Sequence, residues 1–290
     1  MSAELLESAL RLAVPIWIAA LGEQVVQRAG VINIGIEGLM LAAAFAAYVV
    51  GAATGSVWAG CGAGALAGLM LAGLFAWLCV VRRGDQIVAG MGINLLALGL
   101  SGAAFSTFYG AAAPEAPSAL KLGTWLDIPL LGELTGYIAF ALILSVALAY
   151  FFRRTRPGLA LRAVGDHARA ADAEGVSVVG VRVAAVLFGG VMAGVAGSVL
   201  TLSLTHVFAE NMTAGRGFVA LAVVIFGGWH APGVAAAAVF FGALQALQFR
   251  LQASGFDIAY PLWLALPYAL TLLALAVSKR SGAAPIELGR

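Results

Sequence analysis

The sequence predicts an all-α, polytopic membrane protein, and three observations carry that prediction. Only 10% of the 290 residues are charged while 62% are hydrophobic, and the mean hydropathy is +0.99. A soluble domain has roughly 25% charged residues, so this chain has too few to cover a water-facing surface. The apolar residues fall in long unbroken runs, not in the short alternating segments of a transmembrane barrel. Each run is therefore read as a helix, which satisfies its own backbone hydrogen bonds in lipid. The third observation is 37 glycines, the kind of excess expected where helices approach closely in a membrane.

The runs lie at 10–27, 31–51, 56–81, 87–109, 133–152, 184–204, 217–229, 232–252 and 258–277. Most reach the about 20 residues that a bilayer requires; 217–229 is short and is expected to start as irregular backbone. Nine spans put the termini on opposite sides. With the basic stretch 153–182 in the cytoplasm, twelve of the sixteen basic residues fall on that side. Arg11, Lys121, Arg216 and Arg250 remain outside, so the charge rule puts the N-terminus outside and the C-terminus in the cytoplasm. Residues 1–290 are expected to form a single transmembrane domain, with an ordered outer loop at about 110–132. Cys61 and Cys79 fall in one predicted span, about 27 Å apart along a helix, too far to pair. They read as core fillers.

Polar groups at membrane depth are costly unless paired, so each needs a role. Glu23 and Gln24, with Arg28, close the first span; they either cap and snorkel near the headgroups or sit deeper. Asn33 and Glu37 are four apart and are expected to share one helix face, there fixing helix packing or lining a polar pathway. Asn94 stands alone in 87–109. Glu210–Gly217 reads either as an outer loop with Glu210 and Arg216 paired or as a broken helix beside a pathway. Gln245 lies on the 232–252 span. Asn33, Glu37, Asn94, Asn211 and Gln245 are the candidate pathway residues. His167, His206 and His230 are scattered, with no carboxylate at ligand spacing, so no metal site is expected. The chain carries no phosphate-binding loop, nucleophile elbow or His-Glu-x-x-His helix, and no catalytic residue is assigned.

The stretch 153–182 is a polar island between apolar blocks. Within it, Asp166 is expected to cap a short Ala-rich helix over 166–174 that Gly175 ends. Roughly two turns of helix are unstable alone in water, so either the rest of the chain or another protein must hold them. A turn lying on anionic lipid is the plain alternative.

Three segments resemble a known family. Residues 28–40, RAGVINIGIEGLM, resemble the opening signature of permease subunits of ABC importers for nucleosides and simple sugars, the ribose-type family. Residues 161–176, LRAVGDHARAADAEGV, resemble that family's cytoplasmic coupling segment, with Asp166-His167-Ala168 where Glu-Asn-Pro is expected. Residues 211–229 are similar to a block of the nucleoside branch. The resemblance implies that Gly165, Asp166, Ala168, Arg169, Ala170, Ala171, Glu174 and Gly175 form a coupling helix against a separate ABC ATPase subunit. That subunit would bind ATP and Mg, leaving no cofactor in this chain. It further implies a second homologous permease, a heterodimer before a homodimer, an external solute-binding protein, and residence in the bacterial cytoplasmic (inner) membrane. No nucleic acid is involved. The function implied is half of an ATP-driven import pathway for a nucleoside or related small polar solute, with Phe226 and Trp229 as stacking candidates. The rival, an ion- or proton-coupled transporter or channel without ATPase, would rest on Glu37 and Glu210 and leave the Ala-rich helix without a role.

Overall fold

The computed structural model describes residues 3–110, 135–253 and 284–289. Its elements in order are α1 (Ala3–Arg28), α2 (Ile36–Thr54), α3 (Val57–Ala76), α4 (Gln86–Tyr109), α5 (Thr135–Arg154), α6 (Arg156–Asp166), α7 (Ala168–Ala173), α8 (Val178–Val199), α9 (Arg216–Phe226) and α10 (Ala231–Ala253). π-helical turns extend α3 to Val81 and α8 to Thr205. Among the described residues, seven helices are long and apolar enough to cross a membrane: α1, α2, α3, α4, α5, α8 and α10. The expected 258–277 span and nearly all of the 110–132 loop lie outside the described residues.

Local chemistry sets the helix starts. Asp85 accepts from the backbone N–H groups of Ile87 and Val88, Thr155 from Gly158 and Ser177 from Gly180, each satisfying donors that a first helical turn leaves unpaired. The second span begins later than expected, because residues 31–35 form a turn and α2 opens only at Ile36.

Helix α1 is the central column. Residues 13–27 are all buried, wrapped by α5, α8, α9 and α10. A helix enclosed on every side is apolar on every side, which its sequence shows over residues 12–22. Helix α2 packs between α3, α4 and α8. Trp17 Nε1 donates to Ser145 Oγ at 3.0 Å, pinning α1 to α5.

Helices α3 and α8 meet through backbone. Gly64 and Gly68, four residues apart on α3, face Gly190, Gly194 and Ser198 of α8, while Gly60, one turn earlier, packs on Ala47 and Gly51 of α2. A Cβ on Gly68 would lie 2.9 Å from Gly194 Cα and collide with the Gly190 carbonyl. This is the small-residue contact by which helices associate in lipid, where no hydrophobic force draws them together. Gly68→Leu is expected to destabilise the chain by at least the about 1–3 kcal/mol of an overpacked core, read as a lowered melting temperature in detergent.

The short span is a half-helix. α9 has 11 residues, roughly 16 Å, about half a bilayer core. Residues 206–215 precede it as irregular backbone, with His206, Asn211 and Ala214 at φ of +57°, +56° and +45°. Helix α2 is a ruler for its depth. Phe208 packs on Tyr48 toward one end of α2, with ring centroids 6.4 Å apart, and Gly215 reaches Glu37 at the other. Eleven residues of α2 separate those contacts, roughly 16 Å, so the irregular segment descends into the body of the protein. The expectation of a short span opening as irregular backbone matches this geometry.

Candidate functional site

The half-helix α9 is held at both ends by polar groups from α1 and α2. At its start, Glu37 Oε1 accepts from Gly215 N at 2.8 Å and Oε2 from Gly217 N at 2.6 Å. Both oxygens therefore satisfy N–H groups at a helix N-terminus, where the helix dipole favours an acidic partner. Glu37 is only 8% exposed, and Gly217 leaves no space beside it, since an added Cβ would lie 2.6 Å from Glu37 Cα.

At the other end the chain turns through Gly228 and Trp229, both at positive φ. The Trp229 carbonyl accepts from Gln24 Nε2 and from Arg28 Nε, each at 3.0 Å, while Trp229 Nε1 donates to Gln27 Oε1 at 2.8 Å. Gln27 Nε2 in turn donates to Glu23 Oε1, which also accepts from Asn33 N. A non-glycine residue at positive φ costs of order 1–3 kcal/mol, and this network holds Trp229 there. Glu23, Gln24 and Gln27 are 1%, 0% and 2% exposed, so the headgroup-capping reading of Glu23 and Gln24 is overturned. Gln24 and Gln27 are partnered by Trp229, 205 and 202 residues away, a distance that no local pattern signals.

The candidate pathway residues come together only in part. Asn33 and Glu37 do not share a helix face, a correction to the four-residue spacing argument, because Asn33 sits in the turn before α2. Its Oδ1 is buried without a hydrogen-bond partner. Asn94 Oδ1 accepts from Gly38 N at 2.7 Å and its Nδ2 donates to the Ile34 carbonyl at 3.0 Å, so its amide ties α4 to the start of α2. Asn211 is exposed on the irregular segment. Gln245 is half-buried on α10, away from this cluster in sequence, with Oε1 unpartnered. Trp229 is buried and hydrogen-bonded and offers no open stacking face, while Phe226 is half-buried with its ring edge-on to Phe241. Gln27 is the participant that sequence reasoning missed, an amide one turn after Glu23 being the available signal, and Trp229, named there for stacking, serves instead as a hydrogen-bonded anchor.

The polar island folds as two helices, not one. α6 runs from a Thr155 cap with Pro157 in its first turn, buries Leu161 and Val164, and continues through Asp166. Asp166 therefore ends a helix where it was expected to start one; His167 precedes α7 and makes no side-chain cap. The end of the segment matches expectation: Gly175 adopts φ +82° and its N–H reaches the Asp172 carbonyl at 2.9 Å. Arg169, Ala170, Asp172, Ala173, Glu174 and Gly175 are exposed, Asp166 and Ala168 half-buried, and Gly165 and Ala171 face inward. Gly165 lies so close to the Arg28 carbonyl that a Cβ would collide with it. Glu287 N donates to the Gly165 carbonyl, Gly289 N to that of Gly30 and Arg182 Nε to that of Ala29. The segment is thus anchored to the α1–α2 turn and to residues 285–289.

A many-helix membrane body, a half-helix entered through irregular backbone, and an exposed short helix anchored beside it define the membrane subunit of a solute transporter. The comparisons place it more narrowly. The family described as branched-chain amino acid transport system, permease component, matches residues 5–275, and the chain belongs to that family. It is 36% identical over 266 residues to a Haloferax volcanii protein named "Putative glucose ABC transporter permease protein TsgC13", covering 87% of this chain and 78% of that one. It is 36% identical over 282 residues to the guanosine ABC transporter permease protein NupQ of Bacillus subtilis, with 91% and 88% covered. It is 30% identical over 291 residues to the nucleoside ABC transporter permease protein NupC of Lactococcus lactis, with 93% and 90% covered. No solved structure matches the chain. Family membership sets aside the ATPase-independent rival.

Proposed function

We propose that this chain forms half of the import pathway for a nucleoside, driven by ATP bound and hydrolysed with Mg on a separate subunit. The observation that carries the reading is the half-helix α9, suspended between Glu37 and the Trp229 turn beside irregular backbone at membrane depth. Such broken helices are where transporters place solute sites, because the freed backbone groups and an uncharged lining suit a polar, neutral solute. Asn33, Asn211 and Gln245 supply amides for that lining; Glu37 and Asn94 hold its frame. Two of the relatives described above are named for nucleosides or guanosine, which favours a nucleoside, and one named for glucose makes a sugar the second reading.

The exposed face of α7 docks the ATPase, with Arg169 and Glu174 offering charge and Ala170 and Ala173 allowing close approach. A second, homologous permease completes the pathway, and an external binding protein delivers the solute. Arg28, Arg162 and Arg182 gather around α6, the α1–α2 turn and residues 285–289, which supports a cytoplasmic C-terminus and an outside N-terminus in the inner membrane.

The test is uptake by proteoliposomes holding the chain with its ATPase, second permease and binding protein. Labelled guanosine, adenosine and glucose are compared with and without internal ATP. ATP-dependent entry of a nucleoside is the expected result. Entry of glucose alone moves the assignment to sugars, and entry without ATP overturns the coupling.

A further inference from the structure

A cavity of about 280 Å³ opens at the end of the bundle that carries α6, near the lower limit of small-molecule pockets. Its polar and aromatic lining is Gln24 and Arg28 of α1, Phe152 and Arg153 of α5, Arg162 of α6, and Trp229 and His230. Among the described residues, no carboxylate lies within ion-pair distance of Arg28, Arg153 or Arg162. Arg28 is held by its Nε on the Trp229 carbonyl, and Arg162 reaches the Phe152 carbonyl at 3.4 Å. Asp166, one turn beyond Arg162, makes no direct ion pair with the three but lies near enough to act on Arg28 through space. Glu23, next to Gln24, is turned to Gln27 and Asn33. Three arginines with the single carboxylate of Asp166 near Arg28 keep a net positive charge, so an anion would be stabilised there.

A second, independent observation points the same way. Gln24 is fully buried, its Nε2 is spent on the Trp229 carbonyl, and its Oε1 has no hydrogen-bond partner. An unpaired acceptor in a basic pocket calls for a ligand that is anionic at one end and carries a hydrogen-bond donor at the other. We propose that this cavity binds a hydroxyl-bearing phosphate ester, its phosphoryl oxygens on the arginines and its hydroxyl on Gln24 Oε1. The phosphoglycerol headgroup of an anionic lipid and a soluble glycerol phosphate share that chemistry. Val146, Tyr150 and Arg153 lie four and three residues apart and are exposed along one face of α5, which gives an acyl chain an apolar track out of the cavity. The site is independent of the solute carried.

The experiment takes the full complex in nanodiscs and compares retention of phosphatidylglycerol with phosphatidylcholine by native mass spectrometry, for the native chain, R153Q/R162Q and R153K/R162K. Arg28 and Gln24 are left alone because they hold the Trp229 turn. The expected result is selective retention of phosphatidylglycerol, weakened roughly 30-fold by the glutamine pair, about fivefold per arginine, and largely kept by the lysine pair. In phosphatidylcholine discs, glycerol 3-phosphate is added in a thermal-shift titration. Stabilisation there that the glutamine pair loses, without lipid selectivity, supports the site and assigns it to the soluble ester. Absence of both effects overturns the proposal, as does equal binding by the glutamine pair. Cross-linking from position 153 to the ATPase with no lipid bound also overturns it, giving the cavity to a protein side chain.

Discussion

Replacing Glu37 by alanine is expected to abolish ATP-dependent uptake while the chain still inserts in the membrane. The substitution removes both acceptors from Gly215 and Gly217, leaving two N–H groups unpaired in a buried site, at about 1–3 kcal/mol each. Gly217 packs directly on Glu37, so truncation opens a gap beside its N–H. The cost therefore falls on the start of α9 and on the irregular segment before it. Glu37→Gln keeps one acceptor of the two and is expected to retain part of the uptake. Glu37→Asp, one methylene shorter, is expected to fall closer to alanine. Uptake assays paired with melting curves check this series. If Glu37→Ala transported at the native rate, the half-helix would not depend on its N-terminal anchor and the site would have to be sought elsewhere.

Ala170→Trp is expected to strip the ATPase from the purified complex without lowering the melting temperature of the membrane subunit. Ala170 is exposed on α7, so the indole meets no part of its own chain but fills whatever groove receives the helix. Ala171→Trp is the contrasting variant. Ala171 is 5% exposed and faces the body of the protein, so the same bulk is expected to destabilise the chain by about 1–3 kcal/mol or more. Quantifying co-purified ATPase against melting temperature separates the two. Retention of a full complement of ATPase by Ala170→Trp would exclude α7 as the docking surface.

These variants also show what the sequence makes legible. Hydropathy finds α4 to within a residue, because a span bounded by Asp85 and Gly110 has an acidic cap at one end and a helix-ending glycine at the other. It finds the half-helix as well, since the apolar run 217–229 that follows Glu210–Arg216 is too short for a bilayer. It fails where periodicity is assumed through a turn. Asn33 and Glu37 have helical spacing, but the chain between α1 and α2 is held in a turn by Glu23, Gln86 and Asn94. Asp166 has the chemistry of a cap, yet the better cap at Thr155 starts the helix eleven residues earlier. Glu23, Gln24 and Gln27 look like interfacial polar residues at a span end. Only the return of Trp229 from the far part of the chain turns them into a core network, and that pairing is tertiary.

The contact between α3 and α8 has a mechanical consequence. Helices that interlock large side chains resist sliding, because ridges must climb over one another. Glycines every fourth residue on one helix, facing glycines on the other, leave a smooth rail with few teeth. Helix α8 starts five residues after α7 ends, so an axial push at that end is carried along α8 as along a rod. Against α3 the rod meets little side-chain resistance to sliding; its grip comes from α1 and α2, where Met192 packs on Gly22 and Gly197 on Met40.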